Sequence, residues 1–297
     1  MTPRIATAIG FCAVLMWSGL APLAVMTGPV PAFLLTGLTF LVGGTAILGL
    51  AAVRGRLRQA WPTRSSLALG IYGLFGDTVL FFSAVKLAPP AQANLVHYLW
   101  PLLIVLFAAL LPGGRFSPRH LAGALIGLVA TVLLIGDRAS GGTGGAQVWL
   151  GYGLALLGAI VWASYSVLSR RVAQVSPDSV GVTLLACAMA AFALHLAIET
   201  PRLPQTLPEW IGVIGLGLGP MGLAFLCWDI GMKRGDVALL GVASYTAPVL
   251  STILLVVLGF AGASWSLALA CGLIVAGALV ASFPLDRLRR PDRRSGS

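Results

Sequence analysis

The chain has 297 residues, of which 58% are apolar and 9% charged, with a mean hydropathy of +0.95. Soluble domains carry about 25% charged residues, so this composition excludes a water-soluble globular enzyme, and its hydrophobicity excludes a disordered chain. The formal charge of +10, from 19 Lys and Arg against 9 Asp and Glu, would point to nucleic acid in a soluble protein; in so apolar a chain it is first a signal of membrane topology.

A bilayer core about 30 Å thick needs roughly 20 apolar residues per helix. Ten such runs follow one another, at 5–25, 31–53, 65–86, 90–111, 119–136, 148–169, 179–199, 209–231, 237–260 and 265–283. The breaks carry Gly, Pro or charge, among them Gly28-Pro29, Arg54-Gly55-Arg56 and Pro112-Gly113-Gly114. The first run is long and further spans follow it, so it is expected to be a true span and not a removable signal. Sixteen of the 19 Lys and Arg then fall on the side of the N-terminus, and three (Lys86, Arg138 and Arg202) on the other. That asymmetry predicts an all-α polytopic membrane protein with both termini cytoplasmic. The basic tail at 285–297 reads as a solvated topology determinant, with contact to anionic lipid as the alternative. Cys12, Cys187, Cys227 and Cys271 lie inside apolar runs without a CxxC pair and read as buried thiols; neither a metal site nor a cofactor is expected.

Residues 86–103 (KLAPPAQANLVHYLWPLL) and 233–250 (KRGDVALLGVASYTAPVL) match at an offset of 147, which pairs Lys86 with Lys233, Tyr98 with Tyr245 and Pro101 with Pro248. Trp17 and Trp162 recur at an offset of 145. The chain is therefore expected to hold two repeats, 1–137 and 147–284, joined by a periplasmic linker at 138–146. Five spans per repeat force the second to cross the membrane inverted, the pattern of secondary transporters that bind substrate near the midplane. No loop is long enough for a nucleotide-binding domain, and no GxxxxGK[ST] is present.

Ionisable groups inside a bilayer are costly and mark function by default. Asp77 lies roughly 13 Å deep at 1.5 Å per residue from Lys86, in the layer of His97 and Tyr98. It reads as a substrate- or proton-binding group, with a plain interhelical hydrogen bond as the alternative. His97 is equally a proton carrier or a structural donor. Asn94, His97 or Tyr98, and Pro101 share one stripe of the fourth span; Pro101 removes a backbone hydrogen bond and can bend the helix. Trp17, Tyr98, Trp100, Trp162 and Tyr245 fall in span interiors, where a cavity or core packing would accommodate them. Asp229 is expected to pair with Lys233 or Arg234, His195 and Glu199 to be interfacial, and Trp61 and Trp210 to sit in the aromatic belt. GxxxG at Gly123–Gly127 and Gly215–Gly219 reads as close helix contact within a monomer, with a homodimer face as the alternative. Gly76-Asp77 has Leu74 where the GxGD of intramembrane aspartyl proteases needs glycine, and neither a Ser-His pair nor HExxH is present, so an enzyme is not expected.

MWSG at 16–19, VWASYSVLSR at 161–170 and the two Lys-to-Pro segments resemble the drug/metabolite transporter superfamily of EamA-type carriers, over about residues 5–283. Within it, HYLWP at 97–101 and GVASYTAPVLS at 241–251 are similar to the bacterial aromatic amino-acid exporters, whose members often carry Asn at the place of His97 and Glu at that of Asp77. The resemblance implies an inner-membrane carrier that exports Phe, Tyr and Trp, and aromatic cations of the viologen type, by alternating access. It also implies a central cavity from spans one, three, four, six, eight and nine, with spans five and ten peripheral. The expected cavity residues are Trp17, Asp77, Asn94, His97, Tyr98, Trp100, Trp162 and Tyr245. Pro101 and Pro248 would bend helices, and Asp77 and His97 are candidates for proton coupling. Aromatic rings would stack on the substrate and attract its ammonium group, Asp77 would pair with that group, and Gln92, Asn94 or helix N-termini would meet the carboxylate. The alternative is a carrier of another small metabolite, such as threonine- or cysteine-type amino acids or nucleotide sugars.

Overall fold

The structure is a computed structural model. It describes residues 1–110 and 145–282, except 173, 236–239, 241–242, 245, 261 and 263, together with the isolated positions 122, 125, 126, 129 and 130. The described residues form helices and no strand. Six helical stretches are long and apolar enough to cross a membrane: Pro3–Met26, Ala32–Val53, Arg64–Leu87, Ala146–Ser169, Ser179–Ile198 and Leu207–Arg234. They coincide with the expected spans one, two, three, six, seven and eight. The expected fifth span at 119–136, the linker at 138–146 and the tail at 285–297 fall, but for a few positions, outside the described residues.

Several of these stretches are broken where sequence and packing dictate. The first comprises α1 (Pro3–Ser18) and α2 (Leu20–Met26), which meet at Gly19; Thr2 caps α1 and Pro3 stands at its first position, where its missing N–H costs nothing. After α3 (Ala32–Val53), the third stretch runs as α4 (Arg64–Gly70), a π-helical turn at Ile71–Phe75, and α5 (Gly76–Leu87). Next come α6 (Pro90–His97) and α7 (Trp100–Leu110), separated at Tyr98-Leu99. The break precedes Pro101, which cannot donate to the preceding turn and disfavours helical geometry in the residue before it. Then follow α8 (Ala146–Ser169) and α9 (Ser179–Ile198). The eighth expected span consists of α10 (Leu207–Leu218), a second π turn at Gly219–Leu223, and α11 (Ala224–Arg234). Last are α12 (Thr246–Val257), with Pro248 in its first turn, and α13 (Trp265–Ser282).

The two π turns begin 148 residues apart, and α7 and α12 begin 146 apart, so the irregularities recur with the spacing of the sequence repeats. The most extensive helix pairs are α3 with α9, α1 with α11, and α5 with α8. Lipid offers no hydrophobic drive for helix pairing, so close approach depends on small residues. A Cβ on Gly10 would stand 3.0 Å from the Cα of Gly231, and one on Gly43 would stand 2.7 Å from the Cα of Gly222. Gly215 packs against Leu23, a contact inside the monomer, whereas Gly123 and Gly127 lie outside the described residues. Large apolar side chains such as Met189, Leu196 and Val257 are exposed, which in a bilayer is contact with lipid. Trp61 and Trp210 are exposed near helix ends. Cys187 and Cys271 are buried as expected, but Cys12 is exposed and Cys227 half-buried, because those positions of α1 and α11 turn away from the core.

Candidate functional site

The broken helices meet around a partly open cavity. It holds about 380 Å³ of empty space and is lined by Trp17, Leu20, Asp77, Asn94, His97, Tyr98, Trp100, Trp162, Met221 and Phe225. Seven of the residues singled out from sequence are thus brought together; Tyr245 lies outside the described residues. The aromatic rings meet one another across that space, with centroids 5.1 to 6.3 Å apart among the four tryptophans Trp17, Trp100, Trp162 and Trp228.

Trp17 is the hub. Its ring lies 6.0 Å from that of Trp100, 5.4 Å from Trp162 and 5.1 Å from Trp228, and the Trp17–Trp100 and Trp17–Trp162 pairs meet edge to face. Trp100 also meets Trp162 at 6.3 Å and Trp228 at 5.9 Å, both edge to face, and Phe225 lies 5.5 Å from Trp162. Edge-to-face pairs set the positive rim of one ring against the negative face of the next. The Trp17 Nε1 donates to the carbonyl of Pro220 at 3.0 Å, inside the second π turn. The Trp228 Nε1 is buried and has no hydrogen-bond partner among the described residues.

The polar side of the cavity is made by α5 and α6. Asp77 stands in the first turn after the first π turn, and its Oδ1 is 2.7 Å from His97 Nε2, with both side chains buried. The Phe81 ring covers the imidazole at 4.9 Å. Gly158 of α8 closes the other side: a Cβ there would come 3.2 Å from Asp77 Oδ1 and 3.3 Å from His97 Cδ2. One turn earlier, the Asn94 Nδ2 donates to Ser251 Oγ at 3.0 Å, while its Oδ1 is buried with no partner among the described residues. The Tyr98 hydroxyl reaches the Trp17 carbonyl at 3.5 Å.

Asp229 does pair with Lys233, at 2.8 Å. Glu199 does more than lie at an interface. Its carboxylate accepts from the backbone N–H of Phe33 (2.9 Å) and Leu34 (3.2 Å) and lies 2.8 Å from His195 Nδ1. It thereby caps α3, whose N-cap residue, Pro31, has no side-chain acceptor.

Sequence reasoning missed Met221, Phe225 and Trp228. Two signals pointed to them: their i, i+4, i+7 spacing on one face, and the position of Phe225, which follows Asp77 by 148 residues, the spacing of the π turns.

Stacked apolar helices that break in mid-course around an aromatic and polar cavity define an integral-membrane carrier of small molecules. The chain belongs to the EamA-like transporter family, whose model matches residues 4–136 and again 149–283. It is 54% identical over 287 residues to an aromatic amino acid exporter, YddG, of Ancylobacter novellus, covering 95% of this chain and 98% of that protein. It is 27% identical over 284 residues to the exporter of the same name from Escherichia coli, covering 90% and 92%. One solved crystal structure superposes with a TM-score of 0.80 at 51% identity, over 97% of this chain and all of the other.

Proposed function

We propose that this protein exports aromatic amino acids across the bacterial inner membrane, through ten spans arranged as two inverted five-helix halves with both termini in the cytoplasm. The observation that carries the substrate class is the cluster of Trp17, Trp100, Trp162 and Trp228 closed around the cavity beside the Asp77–His97 pair. Aromatic faces attract both a second ring and an ammonium group. Asp77, His97 and the Asn94 Oδ1 offer polar partners for the backbone end of an amino acid. The names of its relatives support this substrate class. The twofold match of the family model and the recurrence of the two π turns 148 residues apart support two halves; the Lys and Arg asymmetry supports the orientation. A cavity between paired helix groups suits alternating access.

Tryptophan efflux from loaded proteoliposomes tests the reading. Trp100→Ala is expected to raise the half-saturating tryptophan concentration about tenfold, the worth of one aromatic or cation–π contact, and Trp100→Phe to raise it less, with threonine failing to compete. Unchanged efflux in both Trp17→Ala and Trp100→Ala proteins that elute as folded species would remove the aromatic cavity from the mechanism.

A further inference from the structure

Two lysines outside the cavity make the same bond in the two halves of the chain. Lys86, at the end of α5, donates its Nζ to the carbonyl of Gly28 and to Thr27 Oγ1 at 3.2 Å. Lys233, at the end of α11, donates its Nζ to the carbonyl of Val175 at 2.7 Å. Each lysine follows its acceptor by 58 residues, and Lys86 and Gly28 map onto Lys233 and Val175 at the single offset of 147. Each acceptor lies in the turn just after the first span of its half, where carbonyls have lost their helical partners. The repetition is thus one of sequence position, donor and acceptor together.

The two bonds bridge the same pair of helix groups from opposite ends. The α1–α2 stretch packs on α11 and α10, while α5, α6 and α7 all pack on α8. The cavity lies between these groups, with Trp17, Leu20, Met221 and Phe225 on one side and Asp77, Asn94, His97, Trp100 and Trp162 on the other. Lys86 belongs to the α5–α8 group and holds the end of α2. Lys233 belongs to the α1–α11 group and holds the chain just beyond α8. Val175 and Lys233 also line two neighbouring spaces: an open cleft of about 900 Å³ at that end and a polar internal cavity of about 360 Å³ bounded by Asp229, Ser179 and Thr183. Their bond stands where the cleft and the cavity adjoin.

We infer that Lys86 and Lys233 are paired latches, positioning residues that hold the two helix groups together at opposite membrane faces, and that transport releases one at a time. Both are engaged in this structure. The inference rests on the two-half carrier and the orientation proposed above, under which Lys86 lies at the outer face and Lys233 at the inner.

The test is which face gains access to the cavity. In a protein with all four cysteines replaced and Met221→Cys as reporter, an impermeant maleimide is applied to right-side-out and to inside-out vesicles. Lys86→Met is expected to raise labelling from outside about tenfold, the scale of one charged hydrogen bond, and to leave labelling from inside unchanged. Lys233→Met, combined with Asp229→Asn so that no acid is stranded, is expected to do the opposite. Lys86→Arg and Lys233→Arg keep a donor and are expected to label as the parent does. Opposite effects with the faces exchanged would uphold the latches and overturn the orientation. Equal effects at both faces, no effect, or arginine variants that behave like methionine would overturn the latches, whatever the outcome for aromatic efflux.

Discussion

At the scale of single residues, the Asp77–His97 contact sets what a ligand of the acid would meet. The Asp77 Oδ1 is already engaged at 2.7 Å, so a substrate ammonium or proton that used it would share it with the imidazole. Asp77→Asn separates charge from geometry, because the amide oxygen still accepts from a histidine N–H. The expected outcome in vesicles is that tryptophan efflux continues down its gradient but no longer accelerates when the opposite side is acidified. If the parent protein itself never responds to a pH gradient, proton coupling through Asp77 is not part of the cycle. Asp77 and His97 were legible because ionisable groups stand out in an apolar span. Trp228 was not, because its neighbour Asp229 drew the reading to the ion pair with Lys233, and a helix turns each residue about a quarter circle away from the last.

At the scale of elements, six of the ten expected spans are matched by long apolar helices, and their irregularities were only partly legible. Hydropathy reports length and burial, and Pro101 announced the interruption between α6 and α7. The π turn at Ile71–Phe75 contains no proline; it reflects an extra residue accommodated against neighbouring helices, which composition does not record. The cap on α3 was equally invisible, since Glu199 supplies it from a position 165 residues or more away in sequence. Glu199→Ala leaves two helix N–H groups and His195 unpaired and is expected to cost about 1–2 kcal/mol, measured as a lower thermal midpoint in detergent. Glu199→Gln retains an acceptor and is expected to lose less. A midpoint equal to that of the parent in the alanine variant would mean that water or lipid headgroups cap α3 just as well.

At the scale of the whole molecule, the ring cluster constrains how substrate would bind. Trp17, Trp100, Trp162 and Trp228 already meet with ring centroids 5.1 to 6.3 Å apart, so a ring that enters between them is expected to part the cluster, and affinity is then lowered by the fraction of molecules already parted. The eight tryptophans divide evenly for following this event. Trp17, Trp100, Trp162 and Trp228 are buried in the cluster, while Trp61, Trp149, Trp210 and Trp265 are exposed. The exposed four supply a constant background, and the clustered four must change their ring contacts when substrate enters. Phenylalanine, which does not absorb where tryptophan is excited, is therefore expected to change the emission saturably, and threonine to leave it unaltered. Replacing all four exposed tryptophans by Phe should preserve the response and raise its fractional size about twofold, since half the emitters are removed. Phenylalanine efflux without any change in emission would mean that substrate crosses without entering the ring cluster, and a route along the lipid-facing helix surfaces would have to be sought instead.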